Sequence, residues 1–133
     1  MRQLLKRIST PILQRFVKSY FSKERKYNYR GVNAVISPGV FFPHFTISTK
    51  LLMDFLSDLD LTNQRFLELG CGSGMISVFA AKQGARVVAS DINPAAVENA
   101  QKNAELNEVE IETVLSDLLD GLTDRTFDYI VIN

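Results

Sequence analysis

Residues 68–74 read Glu-Leu-Gly-Cys-Gly-Ser-Gly, a glycine turn set between the apolar run Phe66-Leu67 and a helical pattern that opens at Met75. Three glycines in five positions let the backbone leave a strand sharply and enter a helix at once. Seventeen residues after Gly74, a second apolar run, Val87-Val88-Ala89-Ser90, ends on Asp91. A strand, a tight turn, a helix and a strand closed by an acid describe a nucleoside-binding βαβ unit.

The rhythm around this unit is regular. Apolar runs and helical spacing predict strands over 65–69, 86–90, about 109–115 and 127–132, with helices over 74–83 and 94–106. Gly84 suits the end of the first helix, where a left-handed residue is needed. Asn93-Pro94 suits the start of the second, with a side-chain cap followed by a proline whose missing N–H costs nothing. Strands and helices alternating at this length imply an α/β fold: a Rossmann-like, doubly wound, mostly parallel sheet of about four core strands.

A different lead-in precedes it. Thr10-Pro11 starts a predicted amphipathic helix at about 11–22, with Ile12, Leu13, Phe16, Val17, Tyr20 and Phe21 on one stripe. Residues 27–40 carry turn signals at Arg30-Gly31 and Ser37-Pro38-Gly39 and fit a short hairpin or an extended arm. Residues 41–47 form an aromatic loop containing His44. Ser48 or Thr49 is placed to cap a further helix, whose apolar stripe is Leu51, Leu52, Phe55, Leu56 and Leu59. The expected division is an approach segment over 1–47 and the α/β domain over 48–133. The buried-strand pattern 127–132 runs to within one residue of the end, so the chain is expected to be a piece of a longer domain.

Charge separates the same two parts. Residues 1–30 hold nine Lys or Arg and one acid, and the remainder holds six bases and fourteen acids, so a +8 arm precedes a −8 body. Such an arm suits RNA, an anionic membrane surface, or packing on its own body. A single cysteine, Cys71, rules out an internal disulfide and supplies no metal cluster, which makes a cytoplasmic setting the default. No apolar run approaches the ~18 residues that span a bilayer.

Spacing narrows the chemistry. A dinucleotide turn places a small residue at position 75, where Met75 stands, and no Gly-Lys-Ser/Thr follows for a P-loop. Glu68 suits a ligand carrying an ammonium group better than a pyrophosphate. Asp91 is placed to accept two ribose hydroxyls in a bidentate fork. Asp117, after the third strand, corresponds to it and could accept an adenine amino group. Cys71 sits near a helix N-terminus, which would lower its pKa, but no His or second Cys accompanies it as a catalytic partner.

From Arg65 to the end, these residues resemble the class I S-adenosylmethionine-dependent methyltransferases. Their first motif looks like Glu68-Leu69-Gly70-Cys71-Gly72-Ser73-Gly74, and their second strand ends in the acid matched by Asp91. Phe127-Asp128-Tyr129-Ile130-Val131-Ile132-Asn133 is similar to the strand that introduces an Asn-Pro-Pro-Tyr/Phe motif. Pro38-Gly39-Val40-Phe41 with Ser48-Thr49 is similar to the approach segment of the small-domain group. That group includes HemK-type glutamine methyltransferases of release factors and ribosomal-RNA guanine-N2 methyltransferases.

The resemblance implies S-adenosyl-L-methionine as cofactor. It implies cofactor contacts from Glu68, Gly70, Cys71, Gly72, Ser73, Gly74, Asp91, Ile92, Asp117 and Leu118. It also implies that Asn133 orients a planar NH₂ acceptor on a protein glutamine or an RNA base, the basic arm tilting the balance to RNA. The Pro-Pro-aromatic remainder of the motif is absent. Two other classes stay open at this point: an NAD(P)-dependent oxidoreductase, which shares the βαβ logic, and a non-catalytic nucleoside-binding module.

Overall fold

The computed structural model describes residues 22–40 and 47–133. The expected helix at 11–22 apart from Ser22, the basic arm up to residue 21, and residues 41–46 of the aromatic loop, His44 among them, lie outside the described residues.

The first described element is a hairpin, β1 (Arg25–Tyr29) and β2 (Val32–Ile36), paired antiparallel with Tyr29 opposite Val32. Arg30 and Gly31 both have positive φ, 47° and 75°, which is the two-residue turn whose twist matches the strands it joins. Helix α1 (Ile47–Leu56) follows. The remaining elements alternate: β3 (Arg65–Leu69), α2 (Met75–Lys82), β4 (Arg86–Asp91), α3 (Pro94–Leu106), β5 (Glu112–Leu115) and β6 (Tyr129–Ile132).

The last four strands form one parallel sheet in the order β5-β4-β3-β6. The first two crossovers, through α2 and α3, step the same way along the sheet and therefore share a face. On that face Phe66, Val87 and Tyr129 join Met75, Ile76, Val78 and Phe79 of α2 in the main core. The step from β5 to β6 reverses direction, and its connection covers the other face: Leu122 and Phe127 pack on Leu67, Leu69 and Val88. The doubly wound topology is therefore present, with a turn-rich connection in place of a second layer of helix.

Several local signals have their expected outcome. Asn93 caps α3 by accepting the Ala95 N–H at 3.0 Å, with Pro94 at the first helical position. Gly84, at φ 87°, follows the end of α2. Three expectations change. Ser48 and Thr49 lie within α1, not at its cap. Leu51 and Phe55, on the apolar stripe, are both 61% exposed, because α1 turns Thr49, Met53 and Leu56 inward. β5 and β6 are shorter than expected. Val109 is used in closing α3 on the Ala104 carbonyl, and Asp128 pairs with Arg65 before β6 begins.

One feature escapes the apolar pattern. Asn99 and Asn103 of α3 and its C-cap residue Asn107 recur every fourth residue and bond the backbone of β2 and of Ser37 just beyond it. Their Oδ1 atoms accept the N–H groups of Ser37, Val35 and Asn33 at 2.9, 2.8 and 3.0 Å. Their Nδ2 atoms return bonds to the carbonyls of Val35 and Asn33. Four helical residues rise about 6 Å and two strand residues about 6.7 Å, so the two repeats nearly match over three rungs. The ladder supplies partners to the open edge of β2, which would otherwise be buried without them. It fastens the hairpin to the α/β unit, and Val32, Ala34 and Ile36 enter the same core. On the far side, Tyr29 and Arg30 at the hairpin turn both bond Asp54 of α1.

Candidate functional site

The point where strand order reverses lies between β3 and β6. In open α/β sheets the crevice beyond the carboxyl ends of the strands at such a point is the natural ligand site. Here β3 delivers the glycine turn, β4 delivers Asp91, and β6 delivers Asn133. A cavity of about 330 Å³ opens there, lined by Ser48, Thr49, Glu68, Gly70, Cys71, Gly72, Ser73, Met75, Ile76, Asp91 and Asn133. A second lobe of about 190 Å³ adjoins it, sharing Gly70, Asp91 and Asn133 and adding Leu69, Ser90, Ile92, Ser116, Asp117, Leu118 and Ile132.

The turn presents two different sides. A Cβ built on Gly70 or Gly72 meets nothing within 4 Å, so on that side a ligand can approach bare backbone. At Gly74 (φ 73°) a Cβ would lie 2.6 Å from the Ala100 Cβ. The third glycine therefore admits α3 against the turn.

Glu68 is 2% exposed and lies at the inner wall of the larger lobe. Its Oε2 accepts the Ser77 N–H at 2.9 Å and the Ser77 hydroxyl. Helix α2 has Gly74 as its N-cap residue, which has no side chain to offer. The carboxylate from the neighbouring strand takes over that role for a helix-terminal N–H. Burial outweighs these two bonds and pushes the Glu68 pKa up to about 8, with the nearby Asp91 adding to the rise. Among the described residues no cation stands beside this buried acid to balance its charged form.

Asp91 has more partners than expected from sequence. Its Oδ2 accepts the Gly72 N–H and its Oδ1 the Asn93 N–H, both at 2.9 Å, so it pins the glycine turn to the start of α3. A carboxylate has about four acceptor positions, which leaves room for two further donors from the cavity. Asp117 lies on an exposed turn at the rim of the smaller lobe, next to Leu118, whose φ is 51°. Ile92 is exposed at the same rim.

Cys71 is buried, and desolvation together with Glu68 and Asp91 pushes its thiol well above the ordinary range. The expected lowering by a helix terminus is reversed: a thiol beside two acids is held protonated, which removes it as a nucleophile. Asn133 donates from Nδ2 to the Thr49 hydroxyl of α1 at 2.8 Å. Three contributors to this arrangement were given no such role by the sequence. Ser77 has no motif to mark it, and Thr49 was read as a cap. Asn103 did carry a signal, the four-residue asparagine spacing. Among the described residues no group of three or more His, Cys, Asp and Glu is arranged to hold a metal ion, and no helix is long and apolar enough to cross a membrane.

Known proteins resemble the chain over most of its length. The chain is 40% identical over 104 residues to a putative protein N5-glutamine methyltransferase of Methanocaldococcus jannaschii, covering 77% of this chain and 50% of the relative. It is 38% identical over 104 residues to a ribosomal protein L11 methyltransferase of Shewanella sp., covering 77% and 36%. Among solved structures, the T. thermophilus 16S rRNA N2 G1207 methyltransferase in complex with AdoMet and guanosine superposes with a TM-score of 0.73 at 28% identity, covering 84% of this chain and 32% of that one. The chain thus spans half or less of the length of each of these proteins. The family profile described as Methyltransferase small domain matches residues 32–133, the hairpin's second strand through Asn133, and the chain belongs to that family.

Proposed function

We propose that this chain forms the cofactor-binding part of an S-adenosylmethionine-dependent methyltransferase that methylates a planar amide or base nitrogen. The observation that carries the reading is the buried Glu68 carboxyl, with no cation beside it among the described residues, at the wall of a cavity that reaches Asn133. A cationic ligand supplies what Glu68 lacks. An anionic one does not, because the Ser77 N–H at the start of α2, where a pyrophosphate would bind, is already held by the Glu68 carboxylate. This counts against the dinucleotide alternative.

The residues present fit the cofactor. Gly70 and Gly72 leave its path clear, Glu68 compensates an ammonium group, Asp91 has acceptor capacity for ribose hydroxyls, and Asp117 with Leu118 and Ile92 flanks the lobe suited to the base. Once bound, S-adenosylmethionine supplies a methyl group on a sulfonium, a carbon already activated for displacement. The protein's contribution is then placement, since holding donor and acceptor at attack distance supplies much of the rate.

Asn133 serves the acceptor. Its Nδ2 is engaged by Thr49, so Oδ1 is the atom available to accept a hydrogen from a substrate NH₂. Accepting that hydrogen turns the nitrogen lone pair toward the methyl group. Cys71 has no part in proton transfer. The acceptors named for related proteins, a protein glutamine and a ribosomal-RNA guanine, both present such a nitrogen.

Titration calorimetry is the direct test. S-adenosylhomocysteine should bind the chain and NAD should not, and the affinity should rise as pH increases through about 8, where Glu68 ionises. Binding of NAD without S-adenosylhomocysteine would reverse the assignment.

A further inference from the structure

Asn103 is fully buried and does more than hold its rung of the asparagine ladder. Its Oδ1 accepts the Val35 N–H at 2.8 Å, and its Nδ2 donates to the Val35 carbonyl at 3.0 Å and to the Ser73 carbonyl at 2.8 Å. The last bond leaves the hairpin and reaches the glycine turn. Three residues earlier on the same helix face, Ala100 meets Gly74. Helix α3 therefore braces Ser73 and Gly74 from behind, while Gly70 and Gly72 open on the cavity in front.

We propose that Asn103 is a positioning residue of the cofactor loop, coupling the docked hairpin to the shape of the glycine turn. This rests on the cofactor reading above. Gly70, Gly72 and Gly74 all hold positive φ, and glycines sample many other conformations when nothing restrains them. A turn that must order itself as the ligand arrives binds more weakly than one already ordered. The Ser73 carbonyl faces away from open solvent, on a residue that is itself buried, and Asn103 supplies its donor. The same side chain grips Val35, so the turn has its backing while the hairpin is seated.

Asn99 is the internal control. It is equally buried, accepts the Ser37 N–H and donates to the same Val35 carbonyl, with no bond to the turn. The experiment compares Asn103→Leu and Asn99→Leu in the full chain, with S-adenosylhomocysteine as the probe. Both variants should lose thermal stability. Only Asn103→Leu should weaken S-adenosylhomocysteine binding, by about tenfold, against about twofold or less for Asn99→Leu. Amide hydrogen exchange at residues 71–74 of the ligand-free protein should quicken in Asn103→Leu alone.

Equal weakening in the two variants, or unchanged affinity in Asn103→Leu, overturns the proposal while leaving the cofactor reading intact. A wild-type chain that gives no heat with S-adenosylhomocysteine overturns both. Where Asn103→Leu loses the folded state, Asn103→Asp, which keeps an acceptor for Val35, is compared with Asn99→Asp by the same criteria.

Discussion

Two sets of buried polar side chains meet in this molecule, and they differ in kind. The asparagines of α3 are neutral, and between them they bond both the N–H and C=O groups of β2. The acids at the strand ends, Glu68 and Asp91, also accept from backbone N–H groups, yet they are ionisable and line a cavity. A buried amide needs only hydrogen bonds. A buried carboxylate also needs a counter-charge, or it takes up a proton. The first set holds the fold together; the second marks where something else must bind.

The sharpest way to break that contrast is to remove a rung that never nears the cavity. Asn107→Leu strips partners from the N–H and C=O of Asn33 and from the Asn103 carbonyl. Urea unfolding should show a loss of about 3 kcal/mol, with S-adenosylhomocysteine affinity little changed in the folded fraction. A large affinity loss with unaltered stability would merge the two sets into one.

Asp91→Ala should do the reverse. It removes a potential ribose acceptor and the pin between Gly72 and Asn93, and should weaken S-adenosylhomocysteine by about a hundredfold in calorimetry, with a smaller loss of stability. Retained affinity would separate the β4 terminus from the ligand.

Glu68→Gln should act in opposite directions on stability and binding. The pKa of Glu68 is raised on folding from 4.5 to about 8, so folding favours its protonated form. That contribution is fully present below about pH 4.5 and is lost as pH rises through about 8. At pH 9 the ligand-free Gln variant should therefore be more stable than wild type, by about 2 kcal/mol, an advantage that vanishes near pH 5. Its affinity for S-adenosylhomocysteine should fall at pH 9, where the wild type has the anion to offer an ammonium group. A variant less stable than wild type at pH 9 would mean the carboxylate is already compensated.

Asn133→Ala should have the smallest effect on either property, within about 0.5 kcal/mol of stability and about twofold in S-adenosylhomocysteine affinity. Its consequence should fall on the acceptor alone, through loss of the bond to Thr49 and of the free Oδ1. A tenfold loss of cofactor affinity would move Asn133 from the acceptor to the cofactor.

Much of the fold was legible because local rules governed it. The βαβ unit follows from period and punctuation: Gly84 ends α2, and Asn93-Pro94 opens α3 at the residue expected. Helix α1 was read less well. Its apolar residues encircle more than one face, and packing of Met53 and Thr49 decided which side went inward, leaving Leu51 and Phe55 exposed. The candidate site divided the same way. Glycines and strand-end acids announce themselves by spacing, whereas Ser77 matters only because Gly74 has no side chain and Glu68 is close enough to replace it.

The linear chain by itself determined the strand–turn–helix order, the acids at the strand ends and the glycines between them, because each depends on neighbours within a few residues. Only the tertiary structure decided that α3 clamps the hairpin with three amides, that Asn103 also reaches Ser73, and that Thr49 meets Asn133. Those contacts join residues 30 to 84 positions apart. No local pattern encodes such a meeting; it follows from matched helix and strand repeats and from the reversal of strand order that brings β6 beside β3.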